Sequence, residues 1–227
     1  MCGRYTNTAG PEGIAKQIGS QLGVQVSKTA GTGRYNIAPT EQVLAIIAPE
    51  KRQLEARMLR WGLLPAHQTK TRYPLINARL ETLLDEGRYA GVSADGGHRA
   101  LVIADGWFEW QAPEDPKLKP QPFRFTVDEG NVFAFAGLWK HGPIPSCTVL
   151  TCDSTRNRVA AAIHDRMPVI LADPEILRAW VDAEISVDEA LSLCGALTET
   201  RVSVTPANPA VNNVRSPEGP ELLIAPS

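Results

Sequence analysis

Ala100-Leu101-Val102-Ile103-Ala104-Asp105-Gly106-Trp107-Phe108-Glu109-Trp110-Gln111 reads as two β-strands meeting at a tight Asp-Gly turn. Period-two alternation puts Asp105, Trp107 and Glu109 on one face of the second strand, with Phe108 and Trp110 on the other. If Phe108 and Trp110 face the core, Glu109 lines an open or cleft face beside an indole. On the pattern alone the simpler expectation is a solvent-facing strand glutamate. Further strands are expected on either side of this pair, at Val43–Ile47, Leu54–Trp61, Phe123–Val127, Val132–Leu138, Cys147–Thr151 and Arg201–Thr205. Helical patterns fall at 11–22, Glu81–Glu86, Ser154–Ala162, Pro174–Val181 and Val187–Cys194. Short strands at tight turns, with helices inserted rather than alternating, predict an α+β fold. The expected sheet is mostly antiparallel and barrel-like, with peripheral helices. No composition shift divides the chain, so one domain over residues 1–227 is expected.

The 227 residues are 43% hydrophobic and 21% charged, which excludes a disordered or fibrous chain. A chain of this size should bury about 70–75% of its unfolded surface and needs no metal or disulfide staple. No apolar run approaches the roughly 18 residues of a membrane helix. The opening Met1-Cys2-Gly3-Arg4-Tyr5 has no basic segment followed by an apolar stretch. The expectation is therefore an intracellular, cytoplasmic location without membrane contact. Net charge is −2, so any nucleic-acid site must be a local patch. Sixteen of the 23 cationic side chains are Arg, whose planar fork suits phosphate. A GC-rich genome would produce the same bias.

The four cysteines are Cys2, Cys147, Cys152 and Cys194. An odd offset within a strand sends Cys147 and Cys152 to opposite faces, so no metal site is expected. Cys147, Cys152 and Cys194 read as small buried apolar residues. Cys2 differs. Methionine ahead of a small residue is normally removed, which leaves a thiol and an α-amine of pKa about 7.7–8 on one terminal residue. Such an aminothiol attacks amides with the amine as built-in base, or closes onto an aldehyde as a thiazolidine.

Three further segments carry polar chemistry. His164, in the charged turn Ile163–Pro168 between a helix and a strand, can titrate near neutrality. Asn77 and Arg79 precede a short helix and can donate to an oxyanion or phosphate. Gly33–Thr40 and Trp61–Pro65 add Arg34, rings and rigid turns suited to stacking unpaired bases.

Met1–Tyr5, Gly33–Pro39, Trp61–Pro65, Ile76–Thr82, Ala104–Trp110 and Ile163–Pro168 occur in this order across most of the chain. Together they resemble the SOS-response-associated peptidase family, the abasic-site processing proteins. The resemblance implies a fold that binds single-stranded DNA and crosslinks the ring-opened aldehyde of an abasic site through a thiazolidine at the N-terminal cysteine. It implies Cys2 as nucleophile with Asn77, Glu109 and His164 as polar active-site positions, and Arg4 and Arg79 as phosphate contacts. Arg34, Trp61 and Arg166 are further candidates for DNA binding. The implied enzyme has lyase-type chemistry, removes its own Met1, acts as a monomer and takes no cofactor or metal. Two rival readings stand beside it: an N-terminal-cysteine amidohydrolase, and a non-catalytic single-strand-binding module.

Overall fold

A computed structural model describes residues 2–27, 33–49, 53–65, 67–86, 88–89, 92–93, 98–182, 184–186, 188–190 and 199–226. Met1, Cys194 and most of the expected helix Val187–Cys194 lie outside the described residues. In chain order the strands are β1 (Arg4–Asn7), β2 (Arg34–Ile37), β3 (Gln42–Ile47), β4 (Glu55–Trp61), β5 (Asn77–Arg79), β6 (Arg88–Tyr89), β7 (Val92–Ser93) and β8 (Arg99–Ala104). They continue as β9 (Gly106–Gln111), β10 (Gln121–Val127), β11 (Phe133–Lys140), β12 (Ser146–Asp153), β13 (Arg166–Pro168), β14 (Ile170–Leu171) and β15 (Val202–Pro206). The α-helices are α1 (Pro11–Ile14), α2 (Ser20–Leu22), α3 (Leu80–Glu86), α4 (Arg158–Ala161) and α5 (Pro174–Val181).

One sheet runs β15-β10-β9-β1-β2 and is antiparallel throughout. The larger sheet follows β12-β4-β3-β8-β11 and closes because β11 also pairs with β12. The expected barrel-like sheet is thus a ring in one sheet only, faced by an open second sheet. Antiparallel pairing dominates, but β12 runs parallel to both β4 and β5.

Strand β8 is buried along its whole length because both of its faces are covered. On the inner side, Tyr5, Trp107 and Phe125 of the open sheet meet Val43, Ala45, Val102, Phe133 and Phe135 of the ring. Tyr5 meets Phe135 edge-on at 5.5 Å, and Phe133 meets Trp107 at 6.1 Å. Such ring pairs add about 0.5–1.5 kcal/mol beyond their buried area. On the outer side, Leu44, Ile46, Leu101 and Ile103 pack against Ile14 and Ile18 of the first helical segment and Leu177 and Trp180 of α5. The first helical segment passes through a π-helical turn at Ala15–Gly19 between α1 and α2.

Three expectations are corrected here. Phe108 and Trp110 do not face the main core. They meet Ala207, Val211 and Leu222 of the C-terminal segment in a separate cluster, while Trp107 points inward. Glu109 therefore shares the inner face and is only 2% exposed, so it is not a solvent-facing glutamate. The expected helix Ser154–Ala162 is broken at Asn157, whose extended backbone and side chain cap α4 by accepting from Ala160 N at 3.0 Å.

Candidate active site

Cys2 lies just ahead of β1, and the antiparallel register of Arg4 with Phe108 carries the chain before it past Glu109 on β9. The thiol is buried within the inner core and points its Sγ toward the Arg4 carbonyl at 3.9 Å. Burial, and then the neighbouring Glu109 carboxylate, push its pKa well above the ordinary thiol range. The thiol is therefore held protonated at neutral pH.

Asn77 opens β5, a three-residue strand that reaches the site because it pairs in parallel with Val149–Thr151. Its Nδ2 donates to the Cys2 carbonyl oxygen at 2.8 Å. The expected oxyanion donor is thus engaged with the backbone of the cysteine itself. Gly62, at φ +111°, lets Pro74 approach so closely that a Cβ there would sit 2.8 Å from Pro74 Cβ. That contact and the Leu63 N to Leu75 O bond at 3.1 Å pin the segment leading to Asn77.

Glu109 is raised to about 7, chiefly by burial, while the positive amino terminus of the chain pulls the other way. A carboxyl with this value is both proton donor and acceptor near neutrality. His164 follows α4 in a turn fixed by its own N–H to Ala160 O at 3.0 Å and by Ser154 Oγ donating to His164 O at 2.6 Å. Its side chain is 29% exposed, and Nδ1 lies 2.7 Å from Asp165 Oδ1. Nδ1 also accepts from Arg166 N at 3.0 Å. Burial, and then the chain's amino group, lower its pKa below the ordinary histidine value, while Asp165 pulls the other way. Glu109 also feels the Asp165 carboxylate, the chain neighbour of His164, which raises its pKa further.

The DNA-binding candidates divide by what already holds them. Arg79 is exposed, and its side chain makes no hydrogen bond or ion pair among the described residues. Arg4 donates to Asn36 Oδ1 at 2.8 Å and Val211 O at 2.6 Å, both uncharged acceptors, and the Glu41 carboxylate favours its charge without pairing with it directly. Arg34, by contrast, is clasped by Glu41 and Glu218, each at 2.6 Å. Arg166 forms a two-pronged pair with Glu81 at 2.8 and 2.9 Å and also donates to Thr151 O. Trp61 is a correction. Its ring is fully buried against Tyr5 at 5.3 Å with Nε1 donating to Ile76 O, so it has no face to offer a base. Asp105, expected to share the Glu109 face, is buried and accepts from Thr6 Oγ1 at 2.6 Å and Thr8 Oγ1 at 2.6 Å, bracing the start of β9.

Cys147 is buried with its thiol pushed up to about 12, and Cys152 is half-buried, both without disulfides. Among the described residues no group of His, Cys, Asp or Glu is arranged to hold a metal ion, and no helix is long and apolar enough to cross a membrane.

The fold is a two-sheet α+β arrangement that buries Cys2 and places it near Glu109, a carboxyl raised to about 7. The chain belongs to the SOS response associated peptidase (SRAP) family, whose family model matches residues 1–214. It is 31% identical over 232 residues to the abasic site processing protein YedK of Escherichia coli, covering 98% of this chain and 99% of that one. It is 34% identical over 190 residues to the abasic site processing protein YoqW of Bacillus subtilis, covering 80% of each. A phage-related protein of Bordetella bronchiseptica shares the fold with a TM-score of 0.70 at 29% identity, over 91% of this chain and 94% of that one.

Proposed function

We propose that the chain binds single-stranded DNA and, once Met1 is removed, closes a thiazolidine between Cys2 and the aldehyde of an abasic site, shielding the lesion during the DNA-damage response. The observation that carries this reading is the convergence of Cys2 with a buried carboxyl that titrates at about 7. Kinship with proteins named for abasic-site processing supports it.

The chemistry balances within the site. The free α-amine of Cys2 adds to C1′ of the open sugar, and loss of one water leaves an imine. The thiol then adds sulfur to the imine carbon and its proton to nitrogen, closing the ring. A thiol held protonated suits that order, because the amine reacts first and the sulfur brings its own proton. Glu109 takes the ammonium proton and returns one to the leaving hydroxyl. His164 relays a proton from solvent to the sugar oxygen as the ring opens, passing through its imidazolium form. Asn77 fixes the Cys2 carbonyl and hence the direction of its amine. Arg4 and Arg79 hold backbone phosphates, which makes affinity salt-dependent. Release of Met1 by the same groups is the peptidase half of the proposal.

Denaturing gel electrophoresis with abasic and intact oligonucleotides tests the reading. The expected result is a retained band with abasic DNA alone, and an intact mass lacking Met1 with one adduct on Cys2. A mature protein that keeps Met1, or Cys2→Ala crosslinking stably at the wild-type rate, refutes it. Ammonia release from glutamine would mark an amidohydrolase instead.

A further inference from the structure

Cys2 reaches the site on a strand too short to place itself. β1 is four residues long, and its pairing with β2 is irregular between Tyr5 and Asn7. Its pairing with β9 is continuous, from Arg4 opposite Phe108 to Thr6 opposite Gly106. That register is locked at its far end by Asp105, which is buried. Asp105 Oδ1 accepts from Thr6 Oγ1 at 2.6 Å. Oδ2 accepts from Thr8 N at 2.5 Å, Thr8 Oγ1 at 2.6 Å and Ala9 N at 3.0 Å. The Asp105 N–H donates in turn to Thr6 O at 2.9 Å. Arg124 on β10 stands 3.7 Å from Oδ1 and offsets the buried charge. Hydrogen bonds to an ionised acceptor are about twice as strong as neutral ones, so this end of β1 is the firmly held one. Gly106 completes the clamp. A Cβ there would lie 2.9 Å from Thr6 Oγ1 and 2.8 Å from Phe125 O, too close for β1 and β10 to keep their places.

Thr6 lies four residues from Cys2, and Asp105 lies four from Glu109. Two antiparallel strands anchored at one point run on side by side, so the bond at Thr6 decides which residue of β1 comes to face Glu109. A slip of one residue would move the N-terminus by about 3.4 Å and turn the side chains of β1 to the other face. Misplacement by about 1 Å is already enough to cost about 10²-fold in rate. The titratable groups that Glu109 feels are the chain's amino group and Asp165, and the Cys2 thiol feels Glu109 in turn. Of these, the amine and the thiol ride ahead of β1, so the clamp governs them alone.

We propose that Asp105, acting through Thr6 and Thr8, is a positioning residue that holds the amine of mature Cys2 against the Glu109 carboxyl. It touches no reacting atom. The inference rests on the aminothiol reading above.

The test removes one bond at a time, since Asp105→Ala would strip the whole clamp at once. Thr6→Val keeps the volume and loses the donor, whereas Thr6→Ser keeps the donor. At saturating abasic DNA, mature Thr6→Val should crosslink about 10- to 10²-fold more slowly, and Thr6→Ser within about twofold of wild type. Both should bind intact single strands as wild type does. In a Glu109→Gln background Thr6→Val should add almost no further slowing, because the two residues act on one step. A second measurement needs no crosslinking: carbon NMR of the Glu109 carboxyl, its signal assigned with Glu109→Gln. The midpoint should lie at about 7 in wild type and higher in Thr6→Val, where the withdrawn amine no longer favours the carboxylate. Wild-type crosslinking in Thr6→Val overturns the positioning role. So does equal slowing with and without Glu109, or a midpoint that stays put or falls. A wild-type protein that never crosslinks, while the NMR midpoint still rises in Thr6→Val, would refute the covalent reading alone.

Discussion

Replacing Glu109 by Gln should stabilise the protein at alkaline pH while slowing its chemistry. Burial raises this carboxyl from an ordinary 4.5 to about 7. Its folded pKa lies above the unfolded one, so between those values the native state keeps a proton that the unfolded chain has released. Stability must then fall as pH rises through that window and stay low above it. The gap is 7 − 4.5 = 2.5 units, which at about 1.36 kcal/mol each is a cost of about 3 kcal/mol above neutrality. Glutamine fills the same volume and never ionises, so it escapes that cost. Losing attraction to the chain's amino group trims the gain. For a chain of this length, about 3 kcal/mol corresponds to roughly 6–12 °C in Tm. Thermal unfolding followed by circular dichroism from about pH 5 to about pH 8.5 should show the variant pulling ahead up to about pH 7, then holding a constant lead. Crosslinking should meanwhile slow by about 10²–10⁴-fold with little change in affinity for intact DNA. Wild-type and variant Tm curves that run parallel would refute the buried, near-neutral carboxyl.

Arg79→Ala should flatten the salt dependence of binding by about one unit of slope and leave Tm unchanged, whereas Arg34→Ala should leave the slope close to wild type, because Glu41 and Glu218 already neutralise it. His164→Gln should remove from the crosslinking pH profile a titration that wild type shows below the ordinary histidine value of 6.5, since burial lowers that pKa. Gly62→Ala should cost about 1–3 kcal/mol in chemical denaturation, because a Cβ at φ +111° meets Pro74, and the displaced Asn77 should slow crosslinking as well. Trp61→Ala should lose about 3–5 kcal/mol of stability without altering the salt slope, as befits a core ring.

The long strands were legible in the sequence because each carries its own apolar pattern. Val43–Ile47, Leu54–Trp61, Phe123–Val127 and Val132–Leu138 all fall on observed strands, and α5 spans the expected Pro174–Val181. The short polar strands were not. Arg4–Asn7, Arg34–Ile37 and Asn77–Arg79 are three or four residues long and carry the site's side chains, so no local pattern marks them. They are strands because a longer neighbour supplies their hydrogen bonds, as β12 does for β5.

The same division runs through the site. The candidates for chemistry, Cys2, Asn77, Glu109 and His164, could be named from the sequence, because an aminothiol, an amide, a carboxyl and an imidazole are the same functional groups in any fold. Which way Glu109 points was not, since period two separates the faces of β9 without saying which is covered. The C-terminal segment decides it by taking Phe108 and Trp110 onto the outer side, which turns Glu109 inward. Whether an arginine is available was equally hidden. Arg34 and Arg79 are the same residue type in the sequence, and only folding brings Glu218, 184 positions away, onto one and leaves the other in water. The functional group is a property of the residue, so the sequence determined it. Burial and charge pairing are properties of distant segments meeting, and only the tertiary structure could decide them.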